Sequence, residues 1–268
     1  MSQEAVRVER NEGVLRLVLD RPERANAMTA EMVNVIREAI DGASVDDETR
    51  VVVLSSSSTD FCSGMDLVEA NRPRDAESPR PRAGALQRSL PQGAHGLIRA
   101  MAEAQVPIIA AVRGWAAGFG CPFALSADLV VVTPAAKFWV PFVGKGFTPD
   151  SGSTWLLPRL VGLARAKEMV LRSIPIDGKQ AADWGMVARC VEEDEFDTTV
   201  EALIEEMASA ATVSVGLARR LLERNFSATL SESMENETLA VELSVRSDDF
   251  KEGIRAFRSK ETPRYTGR

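Results

Sequence analysis

The sequence has few of the residues that most often build metal, redox and hydrolytic sites. Its three cysteines, Cys62, Cys121 and Cys190, have no metal-ligand spacing and cannot all pair with one another, so we expect reduced thiols. It also has a single histidine, His95, which argues against a Ser-His-Asp hydrolase and against a histidine metal site. We expect His95 to lie on a helix surface without a catalytic role.

Long apolar runs and an excess of positive charge are also absent. No apolar run approaches the roughly 20 residues needed to cross a bilayer, and the N-terminal segment lacks a basic start followed by an apolar stretch. The net charge of −7 argues against a nucleic-acid surface. We therefore expect a cytoplasmic protein, with neither a membrane nor a nucleic acid as its partner. The 268 residues, 45% of them hydrophobic, are enough to bury a substantial core.

Hydrophobic periodicity predicts an α/β protein with a largely parallel sheet. A helical pattern with Thr29 as its cap covers residues 28–40. Short β-branched runs predict strands at 14–20, 50–55, 106–112 and 128–133. Strands separated by helical stretches imply βαβ units in residues 1–199, and helical patterns dominate residues 200–268. The polar, proline-rich segment 71–93 predicts a mobile surface loop.

Two glycine turns, in residues 60–67 and 113–125, follow predicted strands. Glycines let backbone N–H groups point at a bound atom, and Pro122 suits the first turn of a helix after the second turn. One N–H from each turn would form an oxyanion hole. The alternative is ordinary helix–sheet packing. Neither turn has the pattern of a phosphate-binding loop.

Asp150 is the only carboxylate between Asp128 and Glu168, and its neighbours are aromatic, apolar or glycine-rich. Loss of hydration there favours the neutral carboxyl form and suits a group that transfers protons. The alternative is that Asp150 caps a helix, because Asp is a preferred cap and a helical pattern follows.

Motifs spread over nearly the whole chain resemble the crotonase (enoyl-CoA hydratase/isomerase) superfamily. They include Leu-Asp-Arg-Pro-Glu-Arg-Ala-Asn-Ala-Met at 19–28, Phe-Cys-Ser-Gly-Met-Asp-Leu at 61–67 and Gly-Trp-Ala-Ala-Gly-Phe-Gly-Cys at 114–121. The resemblance implies a spiral of βαβ units with a helical C-terminal trimerisation region, assembled as homotrimers or hexamers. It also implies acyl-coenzyme A thioesters as substrates, with no metal and no redox cofactor.

The resemblance assigns roles to particular residues. The oxyanion donors would be the N–H groups of Met65 and Phe119, whose ring would narrow the pocket. The phosphates of coenzyme A would meet Arg24 and, from a neighbouring subunit, Lys260. We assign Asp66 a structural role in its turn. The coenzyme A path would run along Arg24, Ala25, Ser63, Gly64, Met65, Asp66 and Leu67.

The sequence departs from the family's hydratases at both catalytic glutamates, since Pro122 and Phe142 occupy those positions. Asp150 instead matches the catalytic aspartate of dienoyl-CoA isomerases, and its context is similar to the phenylacetate-pathway isomerases, which rearrange a ring epoxide on a CoA thioester. We therefore predict a single-acid isomerase. The alternatives are a hydratase, a non-catalytic acyl-CoA-binding member and a thioester hydrolase. Trp115, Trp139, Phe142 and Phe147 suggest a bulky aromatic pocket, or plain core.

Overall fold

The computed structural model describes residues 5–70 and 82–268. Within these residues the strands are β1 (Val6–Asn11), β2 (Val14–Leu19), β3 (Val51–Ser56), β4 (Ile108–Val112), β5 (Trp115–Ala117), β6 (Leu129–Val132), β7 (Lys137–Trp139), β8 (Ile176–Asp177) and β9 (Arg189–Cys190). The four strands predicted from the sequence are confirmed as β2, β3, β4 and β6. The remaining strands were not predicted, because most are two or three residues long.

The main sheet has the strand order β1-β2-β3-β4-β6-β9. Only the β1–β2 hairpin is antiparallel, and every later pairing in this sheet is parallel. A smaller sheet has the order β5-β7-β8. The prediction of a largely parallel α/β sheet is confirmed.

Helices connect and follow the strands. They are α1 (Ala30–Ala43), α2 (Leu67–Ala70), α3 (Ala85–Ser89), α4 (Ala94–Glu103), α5 (Gly120–Leu125), α6 (Ser153–Arg172), α7 (Gly178–Asp183), α8 (Phe196–Ala208), α9 (Thr212–Asn225), α10 (Leu230–Ser244) and α11 (Asp248–Ser259). Thr29 caps α1, as predicted, by accepting a hydrogen bond from the N–H of Met32 at 3.2 Å. In the described part of the chain, no helix is long and apolar enough to span a membrane.

The central strands β3, β4 and β6 are buried on both faces, which explains why they read as continuous apolar runs, whereas β1 at the edge is largely exposed. Val52 and Leu54 of β3 face the larger core cluster, to which α1, α4, α5 and α6 contribute. Val51 and Val53 face the opposite way, against α8. The sheet is therefore a rigid support for the loops at its edges.

The C-terminal helices begin with α8. The predicted domain boundary between residues 199 and 200 lies within this helix. Because α8 packs on the sheet, it belongs to the core that the structure describes. The division into domains stays a prediction. Of the predicted surface loop 71–93, residues 71–81 lie outside the described part, and residues 85–89 form the short helix α3.

Candidate functional site

The first glycine turn, residues 62–66, pairs with the chain at Met28 on one side and at Ala116 on the other. The N–H of Met28 donates to the carbonyl of Gly64 at 2.7 Å, and the N–H of Asp66 donates to the carbonyl of Met28 at 2.9 Å. This pairing directs the N–H of Met65, between them, away from Met28. Gly64 has a φ of +109°, which residues other than glycine rarely adopt.

The second turn joins β5 to α5 and packs directly on the first. Cys62 pairs with Ala116 as an isolated parallel bridge, through hydrogen bonds of 2.8 Å on either side. A Cβ atom on Gly120 would lie only 2.4 Å from the carbonyl oxygen of Cys62, so a glycine is required there. Pro122 lies in the first turn of α5, as predicted.

The two turns bring two backbone N–H donors, those of Met65 and Phe119, close together. A Cβ atom built on Gly64 would lie 3.4 Å from the backbone nitrogen of Phe119. Within residues 5–70 and 82–268, neither the N–H of Met65 nor that of Phe119 has an acceptor at hydrogen-bonding distance. Since backbone N–H groups are nearly always paired when buried, two adjacent unpaired donors are a feature of a binding site.

The ring of Phe119 lies in the core. It stacks on Phe123 at 5.7 Å between ring centroids, and Phe123 stacks on Phe61 at the same distance. Phe119 is only 2% exposed, so its ring presents almost no surface to a pocket. The expectation that this ring narrows the substrate pocket is corrected: the side chain fixes the turn from behind.

Asp150 is half-buried and does not cap the helix that follows it. The N-cap position of α6 is Gly152, and no side chain there accepts a capping hydrogen bond. The hydroxyl of Ser151 donates to the carboxylate Oδ1 of Asp150 at 3.0 Å. The helix-cap alternative is therefore wrong, and the carboxylate is held by its neighbour. Helix α6, which Asp150 precedes, contacts α5, which begins after Phe119.

The two positions where the family's hydratases carry glutamates are buried in the core. Phe142 is 5% exposed, and its ring meets that of Phe147 edge-on at 5.3 Å. Pro122 is buried within α5. Neither side chain can hold or donate a proton.

The residues predicted to contact coenzyme A at the first turn lie together. Ser63 donates its backbone N–H to the carbonyl of Ala25 at 3.0 Å and its hydroxyl to the carbonyl of Arg24 at 3.3 Å. The side chains of Arg24 and Leu67 are exposed. Lys260 is exposed at the end of α11, where it is the C-cap residue with a φ of +56°. Whether Lys260 reaches a neighbouring subunit stays a prediction.

Asp66 has the structural role that we predicted. Its carboxylate accepts a hydrogen bond from Arg21 at 2.7 Å, and the same guanidinium donates to the carbonyl of Ala27 at 2.9 Å. The Asp66 side chain is 10% exposed and that of Arg21 is 19% exposed. This partly buried ion pair ties residues 21–27 to the first glycine turn.

The four aromatic residues that suggested a pocket have different environments. Trp115 is 38% exposed and Phe147 is 43% exposed, whereas Phe142 belongs to the core. The rings of Trp115 and Trp139 lie 5.7 Å apart, and Trp139 donates its indole N–H to the carbonyl of Ser173 at 2.7 Å. For Phe142 the core alternative therefore holds.

Two further contacts were not predicted, because no local pattern indicates them. The fully buried Asn26 accepts a hydrogen bond from the N–H of Arg21 at 2.8 Å and donates to the hydroxyl of Ser56 at 2.7 Å. The Nε2 of His95 accepts a hydrogen bond from the N–H of Ser151 at 3.3 Å. His95 lies on a helix, as predicted, but it is half-buried in α4. The hydroxyl of Ser151 donates to Asp150 instead of His95, so the pair is not arranged as a nucleophile and its base.

Comparisons with known proteins agree with this geometry. Residues 9–268 match the family model described as enoyl-CoA hydratase/isomerase. The chain is 35% identical to the 1,2-epoxyphenylacetyl-CoA isomerase of Escherichia coli, over 96% of each chain. It is also 35% identical to a protein named "Probable enoyl-CoA hydratase" from Rhodobacter capsulatus, over the full length of both.

A solved enoyl-CoA hydratase structure from Polaromonas sp. JS666 superposes with a TM-score of 0.87 at 28% sequence identity, covering 97% of this chain and 99% of that one. The predicted crotonase-like fold, a spiral of βαβ units with a helical C-terminal region, is thereby confirmed. With its fold, its paired glycine turns and its full-length match, this chain belongs to the enoyl-CoA hydratase/isomerase family.

Proposed function

We propose that the protein is an acyl-CoA isomerase that moves a proton along an enoyl-type CoA thioester. The observation that carries this proposal is the pair of adjacent backbone donors, Met65 and Phe119, that have no acceptor among the described residues. Two such donors suit a thioester oxygen that gains negative charge. Asp150 is the carboxylate that would exchange the proton.

The chemistry needs only one acid–base group. The carboxylate of Asp150 removes a proton from carbon, and the electron pair of the broken C–H bond forms an enolate whose oxygen is held by Met65 and Phe119. Asp150 then returns the proton to another carbon of the conjugated system, so the double bond has moved. The carboxylate and the oxyanion donors are regenerated in each turnover.

A hydratase is the second candidate, because one of the relatives carries that name. Hydration requires one group to deprotonate water and an acid at the α-carbon. The side chains of Pro122 and Phe142, at the positions of the hydratase glutamates, supply neither. A mass gain of one water in the product of a short enoyl-CoA would favour hydration, whereas an isomerised product keeps its mass.

The substitution Asp150→Asn tests the proposal. Asparagine preserves the shape and the contact with Ser151 but cannot take up a proton, so we expect isomerase turnover to fall by at least about 10²-fold while the protein stays folded. Turnover is measured on a panel of enoyl-CoA thioesters by chromatography, with deuterium incorporation from D₂O as a second readout. Binding of coenzyme A thioesters is measured by calorimetry and should persist.

Asp177→Asn is the matched control. Asp177 caps α7 by accepting a hydrogen bond from the N–H of Gln180 at 2.9 Å, and asparagine is an equally good cap. This variant should keep normal turnover. Near-normal turnover of Asp150→Asn would refute the role of Asp150. Tight thioester binding without turnover by the unmodified protein would indicate a non-catalytic acyl-CoA-binding member.

We also propose that coenzyme A lies along Arg24, Ala25 and residues 63–67, and that the protein forms homotrimers or hexamers. The hydrogen bonds from Ser63 to the carbonyls of Arg24 and Ala25 support the coenzyme A path, because they bring these residues together. Exposed apolar side chains on the C-terminal helices support the assembly. In such an assembly Lys260 could reach the phosphates of a thioester bound to the adjacent subunit.

A further inference from the structure

Ser151 occupies an unfavourable backbone conformation directly beside the proposed acid. Its φ of +52° lies in the left-handed region, which residues with a Cβ atom seldom adopt, and Gly152 follows with a φ of +80°. Ser151 is only 1% exposed. Such conformations persist where the surrounding contacts enforce them, and they concentrate at functional sites.

Helix α4 holds this strained turn through one hydrogen bond. The Nε2 of His95 accepts the N–H of Ser151 at 3.3 Å. One helical turn further along, Ile98 lies near the turn: a Cβ atom built on Gly152 would be 3.6 Å from its Cγ2. Residues three apart lie on the same face of a helix, so one face of α4 faces both residues of the turn.

We propose that His95 is a positioning residue for the proton transfer assigned to Asp150, an inference that rests on the proposed function. His95 fixes the backbone of Ser151, and the hydroxyl of Ser151 donates to the carboxylate Oδ1 of Asp150 at 3.0 Å. The chain of contacts runs from α4 through Ser151 to the acid. His95 itself contacts no substrate and transfers no proton.

This arrangement gives Asp150 a defined orientation without a helix cap. The carboxylate of Asp150 makes no capping hydrogen bond to α6. The backbone carbonyl of Asp150 accepts both the N–H and the hydroxyl of Ser153, at 3.0 and 2.7 Å. One carboxylate oxygen is therefore engaged by Ser151, and the peptide group that joins Asp150 to Ser151 is held at both its carbonyl and its N–H. A displacement of about 1 Å at a reacting group can lower a rate about 10²-fold.

The hydrogen bond itself is tested by spectroscopy. Because His95 is the only histidine, its imidazole nitrogens give a single set of signals that needs no assignment by mutation. A nitrogen that accepts an N–H carries no proton, so the hydrogen bond from Ser151 requires an Nε2 without a proton. A proton on Nε2 in the folded protein would overturn the proposal, whatever the enzyme's activity.

The kinetic test compares two substitutions of different chemistry. His95→Gln retains an acceptor on a side chain of similar reach, and His95→Leu has none. We expect His95→Leu to lower kcat about 10–10²-fold with KM for the thioester changed less than about twofold, and His95→Gln to recover most of this loss. Glu103→Leu, which alters an exposed side chain of the same helix, is the matched control and should keep normal kcat.

The double variant His95→Leu/Asp150→Asn separates positioning from a merely structural role. If His95 acts through Asp150, its loss should lower the residual turnover of Asp150→Asn no further. Equal losses for Gln and Leu, an unchanged kcat in His95→Leu, or a further multiplied loss in the double variant would each overturn the proposal. Failure of the proposed function is a separate result, seen as near-normal turnover of Asp150→Asn with His95 unchanged.

Discussion

At the residue scale, function depends on groups that are left without partners as much as on those that have them. The N–H groups of Met65 and Phe119 lack acceptors in the described part of the chain, while the neighbouring N–H groups of Asp66 and Gly118 are paired. In the first turn, the strand-like pairing with Met28 directs the N–H of Met65 to the other side. The N–H of Phe119 lies at the start of α5, where the first N–H groups have no partner within the helix. The oxyanion hole that we propose would be produced by backbone geometry, with the side chains fixing the turns in place.

Thiol reactivity provides a residue-scale prediction about how tightly these turns pack. Burial raises the pKa of Cys62 and of Cys121 to about 12. An exposed thiol has a pKa of about 8.5. At about pH 8 both buried thiols therefore stay protonated and unreactive. Partial burial and the nearby Glu192 also raise the pKa of Cys190, but this residue is partly accessible, so Cys190 alone should react with a thiol reagent in the folded protein, more slowly than an exposed thiol.

The measurement is labelling with a chromogenic disulfide, which we expect to give one thiol in the native state and three in denaturant. Cys190→Ser should abolish the native reaction. The same raised pKa values imply that the free energy of unfolding falls above about pH 8.5, where the unfolded chain loses thiol protons that the folded chain retains. Rapid native labelling of two or three thiols would contradict the packing of Cys62 against the turns.

How far the site could be predicted depends on the range of each interaction. The Thr29 cap and the glycine turns are local, so a few consecutive residues reveal them. The contact between His95 and Ser151 joins positions 56 residues apart, and no pattern in either segment indicates it. The helix-cap alternative for Asp150 failed for a related reason: local residue preferences favoured a cap, but Ser151 and Gly152 turn the chain before α6 begins.

At the scale of secondary-structure elements, a single arginine joins α9 to the core. The guanidinium of Arg219 is 6% exposed, its Nε lies 2.7 Å from both carboxylate oxygens of Asp128, and it also donates to the carbonyl of Ala104 at 2.6 Å. Asp128 in turn accepts the N–H of Ile108 at 2.7 Å, at the start of β4. The C-terminal helices are thereby connected to the sheet through a polar cluster.

We predict that Arg219→Met lowers the free energy of unfolding by about 2–4 kcal/mol, because the carboxylate of Asp128 and the carbonyl of Ala104 lose their donor. Denaturant unfolding at equilibrium provides the measurement. Arg220→Met, at the exposed neighbouring position, is the matched control and should stay within about 0.5 kcal/mol of the parent protein. A loss of similar size in both variants would show that the Arg219 cluster does not stabilise the fold.

At the scale of the whole molecule, the chain buries its sheet thoroughly but leaves its C-terminal helices incompletely covered. In the isolated chain, Leu239 and Leu243 of α10 are 69% and 60% exposed, and Phe257 of α11 is 83% exposed. By contrast, the central strands β3, β4 and β6 of the main sheet are enclosed on both faces. Apolar side chains this exposed on consecutive helices are typical of surfaces that meet another protein.

We therefore predict that the protein self-associates through its C-terminal helices, as a trimer or hexamer, and that Leu239→Lys/Leu243→Lys shifts it toward monomers. These leucines are one turn apart on α10, so two ammonium groups would have to be desolvated in any contact that covers them. Light scattering coupled to size exclusion provides the mass. Glu237→Lys, an exposed polar position on the opposite face of the same helix, is the control and should retain the assembly. A monomeric parent protein at micromolar concentration would contradict the prediction, and an unchanged mass for the double variant would place the contact on another face.

Because Lys260 would reach the thioester only across a subunit contact, monomers should also bind coenzyme A more weakly, which calorimetry on the same samples would reveal.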